Sequence, residues 1–526
     1  MNANDDRPEK KSQPTKLVEL AQALGITLFQ TPDKQAFAVV ERDGHRENWS
    51  LRSSTFENYL SQAFYAQFAT VPTKQAVKDA IGVLEGQALF DSPEEEAHLR
   101  VAGDELAVYV DLANDAWEVV EIRPDGWDVR PECPVRFRRS DGVTALPYPE
   151  RSGTLEELTE FLNLDSDGDR VLILSWLLGA LNPRGPYPIL VLNGEQGSAK
   201  STTQNILRSL IDPSATPLRC EPTSQRDLVI AARNSWVLSF DNCSYVSESL
   251  SDSLCRIATG SGFTTRRLYT NDEETHFRAK RPTILNGIPE LATRSDLLSR
   301  SILVTLPSIP AHKRRAEQTF WHRFEKARPR ILGALFDTVS LALRQLPQVD
   351  VVSLPRLADF ARWVIAAEPA LGEPGVFALA YEASQAKGRA IALDSTPITE
   401  PIRFLVDQQD GMEGTAAEWL EAVRRLLENE PVLLRGLPKT PRGMGDAMRR
   451  IKPDLEAEGY VIDFEREAGG TRRRLIRIWP RGRGDERCGG DGPLPVVDPD
   501  GTPVLLDDGS PLVSVSQDQS MIDSQG

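Results

Sequence analysis

One stretch of this sequence gathers the residue types that can hold a chain of phosphates: Gly194-Glu195-Gln196-Gly197-Ser198-Ala199-Lys200-Ser201-Thr202. Glycines let successive backbone N–H groups turn inward toward an anion, and the helix that follows adds the positive end of its dipole. Lys200 is expected to neutralise the β- and γ-phosphates of ATP, and Ser201 to give its hydroxyl to Mg2+. Residues 194–202 are therefore the candidate nucleotide-binding set. Ala199 stands where a second glycine usually precedes the lysine. A methyl group is tolerable there if the residue has helical dihedrals, and helical dihedrals are expected.

Three further segments supply the groups such a loop needs. Trp236-Val-Leu-Ser-Phe-Asp241-Asn242 is an apolar run ending in a carboxylate, so Asp241 is the second candidate metal residue beside Ser201. Asn242 follows where a glutamate would orient the attacking water; an amide can orient water but cannot take its proton, which implies slow hydrolysis. Arg281-Pro-Thr-Ile-Leu-Asn286 is another short apolar run ending in an amide suited to touching a γ-phosphate. Arg300, with Arg294 as alternative, ends a short helix before a further strand and could stabilise transition-state charge. The plainer readings are a strand-ending turn at 241–242 and surface salt bridges for the two arginines. Lys200, Asp241, Asn242, Asn286 and Arg300 form the candidate catalytic set.

These residues must be positioned by a fold, and the pattern around them indicates which. The buried strand Ile189–Asn193, the loop and the helix opening at Lys200 give the context of a P-loop. From 188 to 306 short apolar strands alternate with helical patterns, including a strand at Pro217–Cys220, which predicts a parallel sheet covered by helices. The 526 residues imply several domains at roughly 150 residues each. The expected fold class is an α/β P-loop NTPase with an N-terminal α+β domain, a helical lid and a C-terminal winged helix. The divisions are a disordered arm (1–16), an accessory α+β domain (17–152), and a helical collar plus ATPase core (153–310). A lid (311–405), a winged-helix-like unit (406–480) and a disordered tail (481–526) follow. The lid is expected to be cut into separate helices by prolines at 329, 347, 355, 369 and 374. Asp165–Asp169 does not fit a calcium loop and reads as a turn and N-cap.

Composition narrows the partners. Hydrophobic residues make up 40% and charged residues 26%, and no apolar run reaches the length of about 20 residues that spans a bilayer. A cytoplasmic protein without membrane contact is expected, and the five cysteines show neither zinc-site spacing nor a disulfide framework. A net charge of −16 excludes wholesale coating of nucleic acid, so DNA contact must be local.

The segments GEQGSAKST, WVLSFDN, RPTILNG and SDLLSRS together resemble the superfamily 3-like AAA+ helicase ATPases of phages, plasmids and integrative elements. These are often called phage or plasmid primase-helicase proteins. The resemblance implies a homo-oligomer, a hexameric ring that pulls DNA through a central channel, with Arg300 reaching a neighbour's site. Gly262–Arg281 reads as a hairpin projecting from the sheet, with Arg266, Arg267, Lys280 and Arg281 at its base; similar helicases touch DNA with such a hairpin, but its acidic tip would repel phosphates, and a structural role at the subunit interface is the alternative. In the C-terminal unit Arg449 and Arg450 on a helix, and Arg472, Arg473 and Arg474 on a hairpin, are further nucleic-acid candidates, with protein docking as the alternative. Asp111 lacks the second carboxylate of a polymerase-type primase, so that activity is not expected. The expectation is an ATP-hydrolysing DNA helicase or translocase of a mobile element's replication system. A DNA-bound regulatory or defence ATPase that switches without unwinding is the alternative; a monomeric kinase would need neither Arg300 nor the hairpin.

Overall fold

The computed structural model describes residues 11–266, 274–277, 279–287, 293–351, 355–466 and 473–481. The chain divides into two compact units, Met1–Ser395 and Thr396–Gly526. Among the described residues, no helix is long and apolar enough to cross a membrane.

The first unit begins with a helix, Gln13–Ala23, capped by Ser12 with Pro14 in its first turn. It therefore takes in residues 13–16, which the sequence reading leaves in the arm; Leu17 and Leu20 anchor it in a core against Ala38, Phe56 and Leu60. An antiparallel sheet of Thr27–Gln30, Ala36–Arg42 and His45–Ser50 turns at Asp43-Gly44, both in the left-handed region. The helices Ser54–Phe68 and Lys74–Asp91 follow. Next comes a four-stranded antiparallel meander, Val101–Gly103, Val108–Asp111, Val119–Arg123 and Gly126–Arg130. Its apolar face joins one continuous core with the helices Asp167–Ala180 and Glu317–Gln345. That core runs on from the meander into the next sheet, across the point near 152 where the sequence reading divides the chain.

The central sheet has four parallel strands: β1 (Ile189–Asn193), β2 (Leu238–Cys243), β3 (Thr283–Gly287) and β4 (Ser301–Thr305), in the order β2-β3-β1-β4. Helix α1 (Lys200–Ile211) leads from β1 toward β2. A parallel sheet is covered on both faces, so its strands are apolar at successive positions. Leu190, Leu192, Ile284, Ile302 and Val304 enter the core shared with the meander, whereas Ile189, Val191, Leu285, Leu303, Leu238 and Phe240 enter a second core on the other face. The side-chain period of two divides one sequence between two cores.

Two expectations fail here. Residues 217–220 form no strand; Arg219 makes a single bridge to Phe240, its N–H donating to Ser239 O and its carbonyl accepting from Asp241 N. Pro217 and Pro222 bracket the segment, and a residue without an N–H cannot extend a ladder. Nor does Pro329 separate helices: it lies inside the 29-residue helix Glu317–Gln345. Phe324, Ala327, Ile331, Leu332 and Leu335 bury one face on either side of it, and that burial outweighs a cost of roughly 3 kcal/mol for proline in a helix. Ala358–Ala367 and Val376–Asp394 complete the helical layer of this unit.

The second unit holds the helix Thr399–Gln409 and a strand, Met412–Thr415. Three helices (Ala416–Leu426, Pro431–Gly436 and Pro441–Ala457) and two strands (Tyr460–Arg466 and Arg474–Pro480) follow. Thr415 and Glu418 form a reciprocal capping box, and Thr440 caps Pro441 at the next helix start. Trp419, Met444, Met448, Ile451, Ile462 and Ile478 fill the core, and the Trp419 indole donates to Ile476 O. The strand before the first helix and the short middle helix are additions to the helix, helix, hairpin order read from the sequence. The arm before residue 11 and the tail beyond 481 lie outside the described residues.

Candidate functional site

In an open parallel sheet, ligands bind at the carboxyl ends of the strands where the strand order reverses. That place is the end of β1, which pairs with β3 on one side and β4 on the other. Its last residue, Asn193, passes directly into the loop 194–199, and Lys200 starts α1. Gly194 has φ 151°, and a Cβ there would meet Leu306 O and Ser198 Oγ, each at 2.6 Å, so no other residue fits. Gly197 has φ 83°. Ala199 does not have helical dihedrals, as the sequence reading expects; it takes φ 67°, ψ 28°, the left-handed region. The turn retains a glycine-type conformation, and the alanine bears strain of about 1–2 kcal/mol.

Lys200 folds back over this loop, its Nζ donating to Gly194 O at 2.7 Å and Glu195 O at 2.8 Å. Desolvation lowers its pKa, against the pull of Asp241. Ser201 Oγ donates to Asp241 Oδ1 at 2.7 Å, and Asn286 Nδ2 donates to the same oxygen at 2.5 Å. Helix start, β2 end and β3 end therefore converge on one carboxylate. Asn286 is 1% exposed; its Oδ1 accepts from Asn242 N at 2.8 Å and its Nδ2 also donates to Gln204 Oε1. Gln204, fully buried, donates in turn to Ser239 Oγ at 2.7 Å.

The β2–β3 register shifts between Phe240 and Cys243, so Asp241 and Asn242 lie in a bulge, with Asn242 at φ 53°. Asparagine tolerates that conformation better than glutamate, which gives a local reason for the amide at 242. The Asn242 residue is exposed.

Gln204, Ser239 and Asn163 are site residues that sequence reasoning misses. Asn163 Nδ2 donates to Ser198 O at 3.1 Å and Pro307 O at 2.6 Å, tying the loop to the chain after β4. Arg314 is another: its Nη2 stands 3.7 Å from where a Cβ on Gly197 would be, and Ile309 N donates to Gly197 O. Gln204 and Ser239 carry one legible signal, a polar residue on the buried face of an otherwise apolar element.

Arg300 is not brought to this site within one chain. It precedes Ser301, which pairs with Ile189, and so sits at the amino ends of the strands, about 15 Å of strand away from the loop. There it pairs with Asp296, and Nη1 also donates to Asp296 O at 2.9 Å. Burial pushes the Asp296 carboxyl up, but Arg300 and Arg356 outweigh it and hold it below the usual range. Arg294 pairs with Glu248 at 2.9 Å and Asp252 at 3.3 Å.

The nucleic-acid candidates separate into distinct settings. Phe263–Arg266 and Glu274–Phe277 pair as antiparallel strands, with Arg266 opposite Glu274; Arg267 and the acidic tip lie outside the described residues. Lys280 packs its stem on Gly260 and donates to Arg184 O at 2.8 Å. Arg281 turns inward, Nε donating to Ala232 O at 2.9 Å, and burial brings its pKa down to about 10. In the second unit Arg449 stacks 4.7 Å from the Phe464 ring centroid, and Arg473 pairs with Glu418 at 2.7 Å. Arg450 and Arg474 are exposed, and Arg472 lies outside the described residues.

Known proteins place this arrangement in context. No curated protein matches the chain. Two solved apo structures of the NrS-1 C-terminal region are similar at 11% identity, TM-score 0.39, covering 89% of this chain and all of theirs, and at 10% identity, TM-score 0.36, covering 90% and all. Resemblance that slight carries no argument. Residues 155–386 match the family model of the actinomycete integrative conjugative element replication protein, and residues 398–486 that of the RepA C-terminal domain of the same elements. Both matched models are thus those of RepA, the replication protein of a mobile element, and this chain carries the two parts in order.

Proposed function

We propose that this chain is an ATP-binding and ATP-hydrolysing DNA helicase or translocase of a mobile element's replication system, a P-loop ATPase of the superfamily 3-like AAA+ class. The observation that supports it most is the meeting of Ser201 and Asn286 on Asp241 at the carboxyl ends of the strands, next to a glycine loop over which Lys200 is folded. The donor set fits a triphosphate with magnesium: a desolvated lysine whose ammonium rests on the Gly194 and Glu195 carbonyls, a hydroxyl and a carboxylate in contact, and a glycine turn at Gly194 with no room for a side chain.

In this reading Lys200 leaves the two loop carbonyls for phosphate oxygens, and Ser201 and Asp241 hold the magnesium side. When bound, magnesium would neutralise charge on the phosphates. Asn286 and Gln204 lock the Asp241 rotamer, so the carboxylate need not reorganise. Arg314 stands ready as a second cation over the loop. Asn242 positions water through its amide but accepts no proton, which keeps turnover slow. Arg300 acts on a neighbouring subunit's site in a ring, and the winged-helix-like second unit meets DNA through Arg450 and Arg474. The RepA match supports DNA as the substrate.

Asn242 equally favours a second reading, a DNA-bound ATPase switch without unwinding. A strand-displacement assay on forked DNA separates the two. Unwinding that disappears in Lys200→Ala supports the helicase; nucleotide-dependent DNA binding without displacement supports the switch. If purified protein shows no saturable ATP binding, both fail.

A further inference from the structure

A cavity of about 260 Å3 lies at the far end of α1, away from the glycine loop, lined by Ser140, Gly142, Arg208, Ser214, Arg219 and Asn234 among others. Arg208 is in the last turn of α1 and is 1% exposed. Its Nε donates to Asp212 O at 3.2 Å, closing the helix end. Nη1 and Nη2 are both buried and have no hydrogen-bond partner among the described residues. A guanidinium carries five donors and no acceptor, and unused buried donors on a charged group are strongly unfavourable unless something fills them.

The neighbouring carboxylate does not fill them. Asp212 Oδ1 accepts from Arg100 Nε at 3.2 Å, and Oδ2 accepts from Trp236 N at 2.9 Å and Val237 N at 3.0 Å. Arg100 spends its remaining nitrogens on Asp111 O and Thr144 O. Arg219, half-buried, uses Nη2 on Ser235 Oγ at 2.9 Å, and Asp141 on the cavity wall is exposed. Burial brings the Arg208 pKa down to about 10; Asp212 opposes this, and Arg219 and Arg100 add repulsion. The carbonyl end of α1 repels anions, so attraction must come from the two arginines themselves.

We propose that this cavity is an oxyanion site that takes a phosphate group, held by the Arg208 and Arg219 guanidinium groups. Planar guanidinium forks match phosphate oxygens in pairs. The volume is below the range of about 300–1,000 Å3 typical for drug-sized ligands, which suits free phosphate or the terminal phosphate of a monoester and not a triphosphate. Ser214 Oγ accepts from Thr216 N and donates to no described residue, so its proton can serve the ligand. This site is separate from the nucleotide site proposed above and does not depend on it.

The test titrates the full chain with inorganic phosphate against chloride at constant ionic strength, reading binding heat and melting temperature, in the parent protein, Lys200→Ala and Arg219→Gln. Saturable phosphate binding that persists in Lys200→Ala and weakens at least tenfold in Arg219→Gln is expected. Arg208→Lys, which keeps the charge but loses the fork, is expected to weaken it as well. Adenosine monophosphate and a short oligonucleotide with and without a terminal phosphate tell a free ligand from a chain end. Absence of phosphate binding, its disappearance in Lys200→Ala, or equal affinity in Arg219→Gln would overturn the assignment.

Discussion

The polar groups at the carboxyl ends of the parallel strands and those on the surface of the second unit are organised in opposite ways. At the former, Gln204, Ser239 and Asn286 are buried and bonded to one another and to Asp241, leaving one lysine, one hydroxyl and one carboxylate in fixed geometry. At the latter, arginines meet acids at the surface: the exposed Arg473 with Glu418, and the half-buried Arg477 with Glu413 and Glu465 and Arg403 with Glu400 and Glu458. Buried networks set positions and make chemistry specific, whereas exposed pairs are worth little and yield to salt. Under the proposed function, the first region would act on one ligand and the second would adjust to an extended one.

Substitutions sharpen this contrast. The largest effect is expected for Lys200→Ala, which should abolish saturable ATP binding measured by equilibrium dialysis while leaving the melting curve intact. Asp241→Asn should cut ATP hydrolysis by about 10²–10³-fold and remove its magnesium dependence, as loss of a preorganised electrostatic partner does. Asn286→Ala should lower unfolding free energy by about 1–3 kcal/mol in urea, because it strands Gln204 and the Asn242 N–H. If that variant is as stable as the parent, the network is not a locked unit and the comparison fails. In the second unit, Arg450→Ala or Arg474→Ala should weaken DNA binding only a few-fold and reduce the log–log salt slope by about one each, while Glu418→Gln, by freeing Arg473, should tighten it. The smallest effect belongs to Ala199→Gly: relief of left-handed strain is partly offset by unfolded-state entropy, leaving a gain of at most about 1 kcal/mol in unfolding free energy, read from urea titration.

The glycine loop and the strands that carry Asp241 and Asn286 are legible because each is encoded locally, an apolar run followed by the residue that acts. Ala199 misleads because a methyl group says nothing about φ, and the loop's path demands a left-handed residue whatever the side chain. Gln204 and Ser239 read as blemishes in apolar patterns; only the packing of α1 on β2 reveals that they face each other. Pro329 looks like a helix end because the local cost is visible and the compensating burial, drawn from distant segments, is not. Arg208 reads as an ordinary last-turn cation, and its unfilled nitrogens emerge only once Arg100 is seen to claim Asp212.

The division of β1 between two cores has a consequence for how this protein can change. Odd and even positions of Ile189–Leu192 serve different apolar compartments, so one inserted or deleted residue would exchange both sets of occupants at once. Neither compartment can drift by small steps through this strand. Lineages of this chain should keep the four-residue segment launching the loop fixed in length.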